Sequence, residues 1–208
     1  MKLLKPAICR LFLCEELLLF ICSFSYVYDA VSSLMGTVEQ RIEFYSRMVF
    51  FKGDIFKLIG SIVICQLAGV IGSIPNVSAI PTWYAGLNKP SFTPPNWLFA
   101  PAWITLYAMM AVAAFLIWRK GLNNAAIKTA LVYFVVQLIL NAAWSWIFFG
   151  LKLPLAAFLE ILALWIMILI TTLKFRAIAP TAAIVMIPYL IWVSYASVLN
   201  YSLWRMNY

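Results

Sequence analysis

Histidine is absent from all 208 residues of this sequence, and aspartate and glutamate together number only seven. The lack of histidine removes the commonest general base and metal ligand and the usual axial ligand of haem iron. The few cysteines form no Cys-x-x-Cys pair, which argues against a disulfide framework or a zinc site; they are Cys9, Cys14, Cys22 and Cys65. Because there is also no nucleophile beside a base, no carboxylate pair and no glycine-rich phosphate loop, we predict no catalytic residues and no metal ligands.

Charge of either sign is scarce as well. Charged residues make up 11% of the chain and hydrophobic residues 65%, with a mean hydropathy of +0.97, which excludes an ordinary soluble domain. The net charge of +8 would suit nucleic acid, but the basic residues stand between apolar runs instead of forming a patch. The sequence therefore predicts a multi-pass integral membrane protein with the lipid bilayer, and no nucleic acid, as its partner.

Five apolar runs after residue 53 are each close to the roughly 20 residues that cross a bilayer. They are 55–74, 102–118, 129–149, 153–173 and 181–204. Most of the connections are short, so sequence neighbours should pack antiparallel. No internal repeat is present to favour an inverted-repeat transporter. Residues 54–208 are thus predicted to form an all-α bundle of five transmembrane helices, with a long loop between the first and second spans.

Residues 1–53 form an N-terminal extension with a different pattern. The apolar run Leu11–Tyr28 is interrupted by Glu15 and Glu16 and is too short for a span. The acid pair and the lack of an A-x-A-like site argue against a signal peptide. Two interpretations stay open: an interfacial helix pair, or a chain that begins at Met48 with the upstream residues as a reading-frame extension. We prefer the second.

The distribution of lysine and arginine predicts the orientation. One side of the bilayer would hold Lys52, Lys57, Arg119, Lys120, Lys128, Lys174 and Arg176, and the other Lys89, Lys152 and Arg205. Seven against three places the first side in the cytoplasm. The long loop and the C-terminal end of the last span would then face outward.

The long loop, residues 81–107 with the start of the second span, is rich in proline and tryptophan. It holds Pro81, Pro90, Pro94, Pro95 and Pro101 and also Trp83, Trp97 and Trp103. Proline fixes φ and removes a donor, so we predict irregular structure up to Pro101, with that residue in the first turn of the second span. The segment is either a lid over a pocket or an interfacial loop anchored by its aromatic residues.

Polar residues inside the spans converge on the side of the loop. Gln137, Asn141 and Trp144 share one face of the third span by their spacing. The same spacing relates Tyr189, Trp192, Ala196 and Asn200 on the fifth span, and Glu160 is an acid within the fourth. With Trp103 and Tyr107 at the start of the second span, they predict an apolar, aromatic pocket for a flat hydrophobic ligand. The alternative is that the amides are interhelical hydrogen bonds.

Four sequence blocks resemble the tryptophan-rich sensory protein / translocator protein family (TspO/MBR, the peripheral-type benzodiazepine receptor family). The blocks are WYAGLNKPSFTPPNW (83–97), APAWITLY (100–107), QLILNAAWSWIFFG (137–150) and PYLIWVSYASVLNYSLWR (188–205). The resemblance covers roughly residues 55–207. One departure is Phe92, where relatives often carry tryptophan, so an indole N–H donor is missing there.

The resemblance implies a five-helix bundle, often a homodimer, that binds porphyrins such as protoporphyrin IX or haem as ligands and needs no resident cofactor. In animal relatives it implies cholesterol and benzodiazepine-type drugs as ligands. The ligand-binding positions it implies are Trp83, Tyr84, Trp103, Tyr107, Asn141, Trp144, Trp192 and Ala196. Leu199, Tyr201 and Arg205 fit a cholesterol motif, which an interfacial Tyr-Arg pair explains equally well.

The function implied by the resemblance is a membrane tetrapyrrole receptor and carrier with a sensory or stress-regulatory role. Its pocket would lie under the first long loop. The membrane would be a bacterial cell membrane, or alternatively the mitochondrial outer membrane. Three other functions stay open: an enzyme that degrades porphyrin in light, a translocator of cholesterol or lipid, and a helical scaffold for another protein.

Overall fold

The computed structural model describes the backbone of residues 38–208 and the side chains of residues 53–208. Five helices in this part are long and apolar enough to cross a bilayer, and no strand occurs in it, which confirms the predicted five-helix membrane bundle. The helices are α1 (Val38–Ala79), α2 (Asn96–Trp118), α3 (Ala125–Ser145), α4 (Pro154–Ile178) and α5 (Pro180–Asn207). Residues 54–208 form one compact unit, in which α5 packs against α2 and α4, and α3 packs against α4.

The expectations for the N-terminal extension fall mostly outside this description. Residues 1–37, with Cys9, Cys14, Cys22, Glu15 and Glu16, lie outside the described residues. Met48 falls within α1, whose apolar, membrane-spanning part is Gly53–Ala79. A start of the chain at Met48 stays a prediction.

The helix ends are set by local chemistry that hydropathy does not report. The Asn124 side chain accepts a hydrogen bond from the Ala126 amide at 2.8 Å and caps the N-terminus of α3. Pro154 and Pro180 are the first residues of α4 and α5, where the missing N–H costs nothing. Helices α2 and α5 extend beyond the predicted spans, and α1 runs five residues past Ile74.

The predicted start of the second span was wrong. Helix α2 begins at Asn96, five residues before Pro101, so that proline lies inside the helix. Pro94 and Pro95 end the extended segment, and Pro95 is the N-cap residue with φ −61° and ψ 145°. A proline at this position cannot donate to the carbonyl four residues earlier, that of Trp97, and its ring crowds the same carbonyl. The loop between α1 and α2 is correspondingly shorter, and one 3₁₀ turn, Tyr84–Gly86, lies within it.

Helix α1 approaches its neighbours through glycine. A β-carbon at Gly69 would lie 2.6 Å from the Tyr107 ring on α2, and one at Gly72 would lie 3.2 Å from the Ala142 Cα on α3. Small residues allow such close approach between membrane helices, where dispersion contacts replace the hydrophobic effect. The opposite face of α1 is strongly exposed and apolar, as expected for a surface in lipid.

The glycine contact gives a stability prediction. We expect Gly69→Ala to lower the free energy of unfolding by about 1–3 kcal/mol because the new methyl group overpacks against Tyr107. The ring cannot easily move away, since its hydroxyl donates a hydrogen bond to Asn141. Gly53→Ala is the matched control, because nothing lies within 4 Å of the β-carbon there. Thermal unfolding in detergent measures both variants, and equal midpoints would contradict the assigned contact.

The C-terminal end of α3 widens into a π turn, Trp146–Gly150. The Leu151 amide donates to the Trp146 carbonyl at 2.8 Å, a hydrogen bond that spans five residues. Such turns insert an extra residue and often occur at functional sites. Here the turn lets the consecutive residues Phe148 and Phe149 both face the same cavity.

Candidate functional site

A cavity of about 60 Å³ lies between the loop side of the bundle and the α1–α2 loop. Helices α1, α2, α3 and α5, the π turn and the loop all contribute side chains to it. The lining residues are Asn76, Ile80, Tyr84, Asn96, Phe99, Trp103, Trp144, Ser145, Phe148, Phe149, Trp192, Tyr195, Ala196, Leu199, Asn200 and Leu203. Of these described side chains none is charged and eight are aromatic, so the wall suits an uncharged, flat, apolar ligand.

Three tryptophans from three helices form much of the wall. The Trp103 and Trp192 rings meet edge to face with centroids 6.4 Å apart. Trp144 stacks on Phe148 at 5.2 Å, with 20° between the ring planes. The Trp144 indole N–H donates to the Asn200 Oδ1 at 3.0 Å, which fixes the ring orientation. Of the three rings, that of Trp144 is therefore held by a hydrogen bond before any ligand arrives.

Tyr84 brings the loop into the cavity. The side chain is only 3% exposed, and its ring packs against Phe148 and Phe149 at 6.4 and 5.7 Å. The Lys89 ammonium lies 4.8 Å from the centre of the Tyr84 ring. Burial, and to a smaller extent the nearby Tyr195, raises the pKa of Tyr84 from 10.0 to about 12. The hydroxyl is thus protonated and able to donate at neutral pH.

Two sets of contacts hold the loop against α5. We call them the Asn207 clasp and the Tyr195 latch. In the clasp, the Asn88 amide donates to the Asn207 Oδ1 at 2.8 Å, and the Asn207 Nδ2 donates to the Asn88 carbonyl at 2.9 Å. In the latch, the Tyr195 hydroxyl donates to the Phe92 carbonyl at 2.7 Å, and the two rings meet at 6.3 Å. Three hydrogen bonds and an aromatic contact therefore hold the loop against α5.

Of the eight ligand-binding positions inferred from sequence, the structure places five around the cavity: Tyr84, Trp103, Trp144, Trp192 and Ala196. Trp83 lies beside them and packs edge to face on Phe148 at 5.5 Å, without lining the cavity. Tyr107 and Asn141 do not line it either. They belong to a buried network in the helix core, although Trp103 contacts the Tyr107 ring at 5.7 Å.

The core network joins α2, α3 and α5. The Tyr107 hydroxyl donates to the Asn141 Oδ1, and the Asn141 Nδ2 donates to the Tyr189 hydroxyl at 2.7 Å. The Tyr189 hydroxyl in turn donates to the Gln137 Oε1 at 3.0 Å. All four residues are at least 95% buried, so the network satisfies groups that water cannot reach. Here the interhelical hydrogen bonds considered as the alternative for Asn141 are present.

The cholesterol-motif residues lie on two faces of α5. Leu199 faces the cavity and is buried. Tyr201 lies on the exposed face, where its ring contacts Phe158 at 5.3 Å and Trp204 at 5.9 Å. The exposed Arg205 guanidinium lies 5.8 Å from the Trp204 ring. Tyr201 and Arg205 thus share the outer surface of the helix, whereas Leu199 belongs to the cavity.

Several lining residues were missed from sequence. Phe148 follows Trp144 by four residues, so extending the 137–141–144 spacing by one turn would have found it. Phe149 depends on the π turn, and Asn76 and Ile80 depend on the continuation of α1 beyond Ile74. No hydropathy or spacing signal marks these three.

The comparisons with known proteins agree on one family. The sequence model of the TspO/MBR family matches residues 61–205. A tryptophan-rich protein TspO of Archaeoglobus fulgidus is 39% identical over 155 residues, which are 74% of this chain and 99% of the relative. Protein CrtK of Rhodobacter capsulatus is 37% identical, covering 70% of this chain and 89% of the relative. The human translocator protein is 38% identical, covering 61% and 75%.

Proposed function

The chain belongs to the TspO/MBR family, and from that premise we propose that it is a membrane receptor for flat hydrophobic ligands of the tetrapyrrole class. The observation that carries the proposal is the uncharged cavity walled by Trp103, Trp144 and Trp192 beneath the latched loop. Stacking on aromatic faces is the interaction that such a wall offers, and a conjugated macrocycle presents the largest matching face.

The size of the cavity adds a condition to this proposal. Ligand pockets commonly measure about 300–1,000 Å³, so the cavity of about 60 Å³ does not hold a macrocycle with the loop in this position. The loop is the element that opens in this proposal, because its contacts here are side-chain contacts that can separate: the Asn207 clasp, the Tyr195 latch, and the packing of Trp83 and Tyr84 on Phe148. The proposed receptor therefore binds by lifting the loop and parting the aromatic side chains.

Titration of the purified protein with protoporphyrin IX tests the receptor function. Three tryptophans line the cavity, so a bound conjugated ligand should quench tryptophan fluorescence along a saturable curve. Detergent micelles that contain a lipid-soluble tryptophan analogue give the background from partitioning. Quenching that rises linearly, with no saturation beyond this background, would contradict the proposal.

We further propose the orientation with the loop outside the cytoplasm. At the opposite end of the bundle, Arg119 pairs with Asp54 at 3.2 Å, and the Lys120 Nζ donates to the Ile178 carbonyl at 2.6 Å. Basic residues thus gather where α2 and α4 end, which is the side that the positive-inside rule assigns to the cytoplasm.

A pair of reporter fusions tests this orientation. A reporter joined after Tyr208 is expected to respond as extracytoplasmic, and one inserted between Leu122 and Asn123 as cytoplasmic. The opposite pair of signals would reverse the orientation and leave the bundle itself unaffected. Equal signals from both sites would contradict an odd number of spans between them.

A further inference from the structure

Two polar atoms in the cavity wall are buried without a hydrogen-bond partner. They are the Tyr84 hydroxyl and the Asn76 Oδ1, and both residues line the cavity. Leaving such groups unpaired carries a desolvation penalty, so native structures seldom keep them without a reason. One common reason is a ligand that completes the hydrogen bonds.

Three other residues of the wall, Asn200, Trp144 and Tyr195, have side chains with hydrogen-bond partners within the protein. The Asn200 side chain accepts from the Trp144 indole and donates to the Pro154 carbonyl at 2.8 Å. The Tyr195 hydroxyl donates to the Phe92 carbonyl. Tyr84 on the loop and Asn76 on α1 differ from these residues because each has a buried polar atom without a partner.

The charge of the site limits what these two groups can bind. The described lining contains no lysine, arginine, aspartate or glutamate. Lys89, the nearest loop cation, does not line the cavity, and its Nζ donates to the Ala85 and Leu87 carbonyls at 3.1 and 3.3 Å. A ligand edge that carries a full charge would therefore enter without an ionic partner, at a large desolvation cost.

We propose that the Tyr84 hydroxyl and the Asn76 Oδ1 are the polar recognition groups of the cavity. Together they select an uncharged ligand edge with both a hydrogen-bond acceptor and an N–H donor, as in a primary amide or a lactam. Tyr84 donates to the ligand carbonyl, and Asn76 accepts from the ligand N–H. This assignment rests on the proposed tetrapyrrole receptor and specifies which tetrapyrroles the receptor prefers.

Three porphyrins with one ring system and different side-chain ends test the assignment: protoporphyrin IX diamide, its dimethyl ester and the free diacid. The ester keeps the acceptor and lacks the donor, and the diacid is ionised at neutral pH. One neutral hydrogen bond corresponds to about a two- to tenfold change in affinity. We therefore expect the full chain to bind the diamide about two- to tenfold more tightly than the ester, and to bind the diacid most weakly.

Two single variants separate the two groups. Asn76→Leu should abolish the preference for diamide over ester, because only the diamide uses the Asn76 oxygen. Tyr84→Phe should weaken both by the same factor, because both offer a carbonyl to the hydroxyl. Without ligand, each variant should unfold at the wild-type temperature or above it, since neither atom has a partner to lose. Lower unfolding temperatures for both would assign them a structural role and overturn the proposal.

The remaining outcomes are distinct from one another. Equal affinity for diamide and ester, unchanged in Asn76→Leu, would overturn this assignment and leave the tetrapyrrole receptor standing. Tightest binding of the diacid, lost in Lys89→Gln, would replace it with ionic recognition. If none of the three porphyrins binds saturably, the receptor proposal fails and this assignment fails with it.

Discussion

Replacing Asn141 with leucine is expected to lower the unfolding temperature strongly while leaving porphyrin affinity nearly unchanged. The leucine leaves the Tyr107 hydroxyl without its acceptor and the Tyr189 hydroxyl without its donor, deep between α2, α3 and α5. A buried group left unpaired, here the Tyr107 hydroxyl, costs about 1–3 kcal/mol, whereas the Tyr189 hydroxyl keeps its hydrogen bond to Gln137. Because Asn141 does not line the cavity, its loss removes no direct ligand contact.

The same substitution at another asparagine provides the matched control. Asn76→Leu removes an amide whose oxygen has no partner, so it should leave the unfolding temperature unchanged or raise it. Thermal unfolding by circular dichroism and fluorescence titration with protoporphyrin IX together measure the two effects. Weakened binding by Asn141→Leu with wild-type stability would instead show that Asn141 is a ligand contact.

The largest expected effect on binding comes from Trp103→Ala. Loss of one aromatic wall forfeits stacking of about 0.5–1.5 kcal/mol in addition to the apolar contact area. Since 1.4 kcal/mol corresponds to a factor of ten, porphyrin affinity should fall at least about tenfold. Trp192→Ala should act in the same direction, because Trp192 meets Trp103 edge to face in the same wall.

Trp97→Ala is the control for this loss. Trp97 lies on the same helix, is 72% exposed and does not line the cavity. The change removes the same indole from the chain, so it accounts for the lost fluorescence and for altered behaviour in detergent. Equal affinities of Trp103→Ala and Trp97→Ala, both close to wild type, would place the ligand outside this cavity.

The sequence predicted the bundle because the physical cause of the fold is visible in composition. Runs of about 20 apolar residues with charges only near their ends are long enough to cross a bilayer. In lipid each such run must form a helix, because only then are its backbone N–H and C=O groups hydrogen-bonded within the segment. The convergence of Trp103, Trp144 and Trp192 was predictable for a related reason, since helical spacing and depth together fix the face and level of a side chain.

What sequence reasoning missed depends on backbone detail and on side-chain pairing. Helix α2 begins before Pro101 because transmembrane helices tolerate an interior proline, which the prediction from proline content did not allow for. Phe149 reaches the cavity through a π turn that no periodicity reveals. Asn141 shares the depth of the wall residues, and only its actual partners, Tyr107 and Tyr189, distinguish a network member from a lining residue.

The Asn207 clasp and the Tyr195 latch also limit the rate at which a ligand can bind. If a macrocycle enters only while the loop is detached, each binding event waits for an opening that the ligand does not cause. The observed association rate should then rise with porphyrin concentration and level off at the opening rate of the loop, which stopped-flow fluorescence measures. Asn207→Ala should raise that plateau, because the clasp loses its side chain. The apparent affinity is the affinity of the open form multiplied by the fraction of molecules that are open. Because Asn207→Ala raises that fraction, the variant should also bind more tightly at equilibrium.

An association rate that increases linearly to the highest porphyrin concentration would mean that the ligand enters by another route. The latched loop would then serve to retain the ligand after it has bound.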